Sequence, residues 1–189
     1  MNEIKEKDIK NGEILTEEKN EGEISTEKTE KCEFSPDDVA YIRECMALAA
    51  EAEAIDEVPV GAMIVRDGVV LARAFNTRES SKCATHHAEI LAIEKACAAL
   101  GGWRLPGVTL YVSMEPCAMC AGAIINARIP RVVYGARDYR FGAFGSLVDL
   151  SKIPFNHIPE VVGGVLAEEC SAQLSAYFRK KRDKSSITR

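Results

Sequence analysis

An Asp67-Gly68 pair between two apolar runs constrains the fold of this chain more than any other local pattern. The flanking runs are Val60–Val65 and Val69–Phe75, and Asp-Gly is a favoured centre for the tight turn of a β-hairpin. The two runs are therefore predicted to be adjacent antiparallel strands. If later strands of the same sheet are joined through helices, the sheet must be mixed.

Helical and strand-like segments alternate along the rest of the chain. Ser35, followed by Pro36 and two acidic residues, is typical of a helix start, and apolar residues at helical spacing extend this helix to about Glu53. Further helices are predicted over His87–Leu100, Cys117–Ala127 and Glu168–Lys184, and further strands over Val108–Met114, Arg131–Gly135 and Glu160–Val165. The alternation predicts an α/β domain that packs helices against a mixed sheet.

The formal net charge of -5 lies entirely in the N-terminal segment. The chain has 24 Lys and Arg against 29 Asp and Glu, and residues 1–35 hold six lysines and eleven acids, so the other 154 residues carry 18 of each sign. The acidic average therefore excludes no class of partner for those residues, nucleic acid included.

Composition divides the chain into three parts. Residues 1–34 are predicted to be a disordered acidic extension, because a segment rich in Glu, Lys, Thr and Asn buries too little apolar surface to offset the entropy of ordering. Residues 35–185 are the predicted domain, and residues 186–189 a short tail. No apolar run approaches the ~20 residues that span a bilayer, and the first residues lack the apolar region of a secretory leader. We therefore expect a cytoplasmic protein without a membrane span.

One closely spaced pair, Cys117 and Cys120, occurs among seven cysteines. Thiols three residues apart at a predicted helix start face the same side and can hold two positions on Zn²⁺. His87 would supply a third ligand and leave the fourth position for water, as in a catalytic zinc site. Zinc would lower the pKa of that water to roughly 7, and Glu89 is the candidate general acid and base. A structural zinc site, or core residues without a metal, are the alternatives.

Several motifs together resemble those of bacterial tRNA-specific adenosine deaminases. His87-Ala88-Glu89 and Pro116-Cys117-Ala118-Met119-Cys120 match the H-x-E and P-C-x-x-C signature of zinc nucleobase deaminases. The resemblance covers about residues 35–185 and includes Glu57-Val58-Pro59-Val60-Gly61-Ala62, Phe75-Asn76, Gly135-Ala136-Arg137-Asp138 and Tyr177-Phe178-Arg179-Lys180-Lys181-Arg182.

This resemblance implies a three-layer α/β/α cytidine-deaminase-like fold with a mixed, about five-stranded central sheet. It also implies a homodimer with one Zn²⁺ per subunit. The implied reaction converts the wobble adenosine of a tRNA anticodon loop to inosine, with zinc-activated hydroxide as nucleophile and Glu89 as proton shuttle.

The resemblance further implies substrate contacts. Asn76 would hydrogen-bond the purine, and Asp138 would contact the sugar-phosphate chain near the target nucleotide. Together with the deaminase motifs, the basic end of the last helix favours contact with the phosphates of an anticodon stem-loop, through Arg179, Lys181 and Arg182. Three aromatic residues suit stacking on unpaired bases, although the last could equally be core: Tyr139, Phe141 and Phe144.

Two other functions remain open at this stage. A deaminase of free cytosine, cytidine or guanine would use the same zinc chemistry, and a non-catalytic zinc-stabilised RNA-binding module would need only the metal. His86 is expected to line the pocket or a dimer contact, with a role in RNA binding as the alternative. Cys83 is not expected to be a fourth ligand, because it would displace the water.

Overall fold

Five strands and five α-helices form within residues 34–187, the part of the chain that this computed structural model describes. In chain order they are α1 (Pro36–Ala54), β1 (Gly61–Arg66), β2 (Val69–Phe75), α2 (Arg78–Ser81), α3 (Ala88–Leu100), β3 (Thr109–Met114), α4 (Ala118–Asn126), β4 (Arg131–Ala136), β5 (Glu160–Gly163) and α5 (Ala167–Ile187). A single 3₁₀ turn covers Leu150–Lys152. The predicted extension, apart from Phe34, and the last two residues of the predicted tail lie outside the described residues.

The five strands form one mixed sheet in the order β2-β1-β3-β4-β5. β1 pairs antiparallel with both β2 and β3, whereas β3, β4 and β5 are parallel. The Asp67-Gly68 hairpin and the mixed sheet are thus confirmed. β5 ends at Gly163, two residues earlier than predicted, and the positive φ of Gly164 turns the chain out of the strand there.

Helices cover both faces of the sheet. On one face, α3 and α4 contribute Ala92, Ala96 and Ile124 to a core with Ile64 and Leu110. On the other, α1 and α5 pack over a second cluster: Ile42, Cys45, Leu48, Met63, Val65, Tyr111, Val133 and Cys170. The predicted three-layer α/β/α architecture is therefore confirmed.

The start of α1 is tied to the sheet by a buried ion pair. Ser35 is the N-cap and accepts a hydrogen bond from the Asp38 backbone N–H at 3.1 Å. The Asp38 carboxylate, only 3% exposed, accepts two hydrogen bonds from the Arg131 guanidinium on β4, at 2.8 and 2.9 Å. This bidentate pair fixes α1 against the parallel half of the sheet.

Four strands, β2, β3, β4 and β5, end at the same edge of the sheet, and the first three of them lead into candidate site residues. β2 and β3 run in the same direction, because each is antiparallel to β1, and β4 is parallel to β3. Asn76, Cys117 and Asp138, which follow these strands by one to three residues, are therefore brought to one edge. Sites in open α/β sheets form at such carboxyl ends.

Within residues 34–187, no helix combines the length and the apolar character that crossing a membrane requires.

Candidate metal centre

Two helix starts meet at this edge of the sheet. His87 is the N-cap of α3 and Cys117 is the N-cap of α4, both with extended backbone conformations. An N-cap side chain commonly accepts a hydrogen bond from the first turn of its helix, but neither of these side chains does so. They face each other instead, at the positive ends of both helix dipoles.

His87, Cys117 and Cys120 bring three donor atoms together. Their ligand atoms all lie within 4.8 Å of one another. His87 Nδ1 is 3.7 Å from Cys117 Sγ and 3.6 Å from Cys120 Sγ. With Zn–S bonds of about 2.3 Å and a Zn–N bond of about 2.1 Å, a tetrahedral site has N···S edges of about 3.6 Å. The three side chains therefore fit the geometry and the donor chemistry of a zinc ion.

The two thiol groups differ in acidity. A hydrogen bond from Cys120 lowers the pKa of Cys117 to about 4, with His87 contributing and burial acting in the opposite direction. The same hydrogen bond, together with burial, raises the pKa of Cys120. Zinc binds thiolates, so binding of a metal ion would release protons from thiols that are still protonated.

Glu89 lies beside this group on the first turn of α3. It is 4% exposed, and desolvation by burial raises its pKa to about 7. A hydrogen bond with the Cys120 side chain and the field of Cys117 also act on this carboxyl. A carboxyl group with a pKa near neutrality can both accept and donate a proton in a reaction.

Asn76 joins β2 to the start of α3. Its Oδ1 accepts a hydrogen bond from the Ala88 backbone N–H at 2.9 Å. Because a backbone N–H can only donate, this contact fixes the amide orientation and turns Nδ2 away from α3. Among residues 34–187, Nδ2 makes no hydrogen bond and is not fully enclosed. Asn76 therefore positions the helix that bears Glu89 and offers one N–H donor group.

Asp138, predicted as a substrate contact, is engaged with its own loop. Its Oδ1 accepts hydrogen bonds from the backbone N–H groups of Arg140 and Phe141, at 2.9 and 3.2 Å. This turn leaves Tyr139 75% and Phe141 66% exposed. Phe144, for which stacking and core positions were both open, is buried in the core beneath the loop.

Two buried carboxylates, which sequence reasoning did not assign to the site, hold the flanking loops. Glu57 accepts a hydrogen bond from the Ser80 backbone N–H at 2.6 Å, in the segment between Asn76 and His87. Glu115 accepts hydrogen bonds from the loop after β4. Both residues stand in or beside motifs that carry the family resemblance, but the sequence did not indicate these contacts, because the partners lie more than twenty residues away.

The basic residues at the end of α5 differ in their surroundings. Lys181 Nζ lies 2.6 Å from Asp56 Oδ2 and 5.6 Å from the centre of the Tyr177 ring. Arg179 and Arg182 are exposed on the same helix. A phosphate at Lys181 must therefore compete with the Asp56 carboxylate.

His86 and Cys83 lie near His87 in the sequence and contact residues of their own segment. His86 Nδ1 lies 2.8 Å from Ser81 Oγ, within the segment that Glu57 holds. Cys83 Sγ lies 3.4 Å from Thr85 Oγ1 and does not belong to the three-residue group. This agrees with the expectation that Cys83 is not a fourth ligand.

Comparison with known proteins identifies relatives over most of the described chain. The family model for MafB19-like deaminases matches residues 36–182. A tRNA-specific adenosine deaminase of Bacillus subtilis (strain 168) is 49% identical over 153 residues, which are 80% of this chain and 95% of the relative. A second, from Haemophilus influenzae, is 43% identical and covers 79% of this chain and 88% of the relative.

Solved structures that are similar to this chain are also deaminases. One, from a study of A-to-I editing by tRNA:A34 deaminases at the wobble position of transfer RNA, has a TM-score of 0.67 and 43% identity. It covers 71% of this chain and 99% of the compared chain. A guanine deaminase from Nitrosomonas europaea has a TM-score of 0.63 and 27% identity, covering 76% of this chain and 84% of the other.

Proposed function

Because this chain belongs to the MafB19-like deaminase family, we propose that it hydrolytically deaminates the wobble adenosine of a tRNA anticodon loop to inosine. The observation that carries the proposal is the grouping of His87, Cys117 and Cys120 beside buried Glu89. The chain in which it occurs is 49% identical to a tRNA-specific adenosine deaminase. We assign the activity to the domain over residues 35–185 and regard residues 1–34 as an extension and 186–189 as a tail.

One Zn²⁺ per subunit is the proposed cofactor, with His87, Cys117 and Cys120 as its ligands. The N···S distances of 3.7 and 3.6 Å support this choice, as does a donor set of one imidazole and two thiols. When bound, the ion would activate a water molecule as the nucleophile near neutral pH.

Glu89 is the proposed proton carrier. It would take a proton from the attacking water and deliver protons to N1 of adenine and to the leaving amine. Over the whole reaction a C6–O bond forms and the C6–N bond breaks, so that adenosine and water give inosine and ammonia. Its place on the first turn of α3, where it is buried, keeps the carboxyl group close to the proposed metal ligands.

Asn76 is the proposed contact to the purine. Since its oxygen is held by Ala88, its Nδ2 would donate to an acceptor nitrogen of the base. The target nucleotide must leave the stack to reach this depth, and unpaired loop bases can do so.

The proposed RNA surface extends from the loop after β4 to α5. The exposed rings of Tyr139 and Phe141 suit stacking on unpaired bases, and Asp138 lies at the base of the same loop. Arg179, Lys181 and Arg182 would contact phosphates. From the similarity to tRNA-specific adenosine deaminases we also propose that the protein is a homodimer. Because the proposed substrate is tRNA, we propose that it acts in the cytoplasm.

Mass spectrometry of a synthetic anticodon stem-loop tests the proposal. The zinc-loaded full chain should convert adenosine at the wobble position, with a mass gain of about one dalton, and should not turn over free guanine or cytosine. A matched stem-loop with guanosine at the wobble position is the control. Turnover of free guanine but not of the stem-loop would overturn the proposal in favour of the activity of the Nitrosomonas relative. Turnover of neither substrate, with RNA still bound, would favour a non-catalytic module.

A further inference from the structure

The carboxylate of Glu115 accepts hydrogen bonds from both ends of one loop. Its Oε2 accepts from the Asp138 backbone N–H at 3.1 Å. Its Oε1 accepts from the backbone N–H groups of Phe144 and Ser146, at 3.0 and 3.1 Å. The Ser146 hydroxyl donates to Oε2 as well. Four donors fill the capacity of a carboxylate.

This carboxylate is a buried charge that the loop itself satisfies. Glu115 is 3% exposed, and among residues 34–187 it forms no salt bridge. Burying a charge without a counter-ion is strongly unfavourable unless hydrogen bonds compensate it. The loop over residues 138–146 and the Glu115 carboxylate therefore stabilise each other's position.

Gly142 shows how closely the loop packs on this carboxylate. A Cβ at Gly142 would lie 2.5 Å from both the Asp138 carbonyl oxygen and the Glu115 carboxyl carbon, and 2.6 Å from Oε2. Only a residue without a side chain fits here while the loop keeps its hydrogen bonds to Glu115.

The same loop is joined directly to the start of α4. Gly142 forms a β-bridge with Cys117, and the Ala143 backbone N–H donates to the Pro116 carbonyl at 2.9 Å. At the tip of the loop, Tyr139 and Phe141 are exposed large rings. Large apolar side chains held exposed beside a site suit contact with a partner.

We propose that Glu115 is a positioning residue that sets the affinity for RNA: it holds the 138–146 loop so that Tyr139 and Phe141 form preformed stacking surfaces for unpaired bases. The inference rests on the proposed function, and it names residues through which that function recognises its substrate. Preforming the loop removes the entropy of ordering it from the binding step. Each stacked base is worth about 5-fold to about 150-fold in affinity.

Glu115→Gln tests this role with little change of shape. The amide keeps one acceptor oxygen, but its NH₂ group faces donors, so about half of the four contacts are lost. The KM for the stem-loop should rise about tenfold, while kcat at saturating RNA stays within about twofold, since uniform binding is what is removed. Bound zinc should remain at one ion per chain. Hydrogen exchange should increase at residues 138–146.

The change in charge and the loss of positioning have opposite expected effects on RNA affinity. Removing an acidic group by itself favours RNA binding, whereas loss of positioning weakens it. Glu51→Gln, at an exposed position on α1, makes the same charge change away from the loop. It should leave KM unchanged or slightly lower.

Two further experiments distinguish a positioning role of Glu115 from a general effect on stability: a variant on the loop side, and Glu115→Gln in a background that lacks both exposed rings. In Gly142→Ala the added Cβ would clash with the Glu115 carboxylate and displace the loop. This variant should therefore also raise KM without changing kcat. In a protein carrying Tyr139→Ala and Phe141→Ala, adding Glu115→Gln should raise KM no further. A purely structural role would add its own loss to theirs.

The outcomes distinguish this inference from the proposed function. If the wild-type chain does not deaminate the stem-loop, the proposed function fails. If the wild type is active and Glu115→Gln leaves KM unchanged, or lowers kcat together with zinc content, the positioning role is overturned.

Discussion

Asn76 holds the start of α3 and is the proposed contact to the base, and two substitutions separate these roles. Its Oδ1 accepts from the buried Ala88 N–H, and its Nδ2 faces the other way. Asn76→Ala removes both groups. Asn76→Asp keeps an acceptor for Ala88 and removes only the donor.

The expected effects on folding follow from these contacts. Alanine leaves a buried N–H at the start of α3 without its acceptor, which costs about 1 to 3 kcal/mol of unfolding free energy. Aspartate retains the acceptor, and its charge at a helix N-terminus is favourable by about 0.3 to 1 kcal/mol. The nearby Glu89 carboxyl opposes that gain, so we expect the stability of Asn76→Asp to stay within about 1 kcal/mol of wild type.

The expected effects on turnover are different. Both variants lack the Nδ2 donor, and a site built to hydrogen-bond its substrate loses discrimination and rate when the partner is missing. We expect kcat/KM for the stem-loop to fall at least about a hundredfold in both variants.

Urea unfolding of the zinc-loaded proteins and single-turnover mass spectrometry measure the two effects separately. Near wild-type turnover by Asn76→Asp would refute the assignment of Nδ2 to the purine. Equal unfolding free energies for wild type and Asn76→Ala would refute the helix-positioning contact.

Three further predictions concern other parts of the molecule. Glu89→Gln should lower the single-turnover rate by about 10² to 10⁴ with zinc content unchanged by atomic absorption; loss of the metal would contradict a role confined to proton transfer. Asp38→Asn should reduce the unfolding free energy at pH 7 by about 2 to 3 kcal/mol, below the range for fully buried pairs because Arg131 keeps partial exposure. Its hydrogen bonds with Arg131 lower the pKa of Asp38, so this stabilisation is complete above an unfolded pKa of about 3.9 and is lost as the pH falls through the lowered value. A wild-type to variant difference that persists at lower pH would be inconsistent with this origin. Lys181→Ala combined with Arg182→Ala should reduce the salt slope of RNA binding by about 1.4, and an unchanged slope would place the phosphates elsewhere.

Local patterns predicted the five strands, four of the five α-helices of the described residues, and a candidate donor set for a metal ion. Asp67-Gly68 specified an antiparallel pair because its turn geometry is a property of two adjacent residues. Cys117 and Cys120 are three apart at a helix start, and His87 stands two residues before a glutamate, so the pattern matches the known deaminase signature and predicts a donor set. The three side chains, His87, Cys117 and Cys120, lie together in the structure.

Features made by distant contacts could not be predicted in this way. The partners of Glu115 lie 23 to 31 residues further along the chain, and no periodicity reports them. The four-residue helix α2 is too short to show a repeat. Phe141 and Phe144 stand three residues apart with the same side chain, yet one is exposed and the other lies in the core. That difference is set by the loop packing on Glu115.

Glu115 accepts hydrogen bonds from both ends of the loop. These contacts constrain the number of residues that the segment between the two ends can contain. Insertions or deletions within residues 139–143 would pull one set of donors off the carboxylate, whereas exchanging the three outward side chains Tyr139, Arg140 and Phe141 would leave it undisturbed. The tip of the loop can therefore be varied in sequence while the hydrogen bonds to Glu115 are kept. New sequence variants there can be selected without re-engineering the catalytic centre.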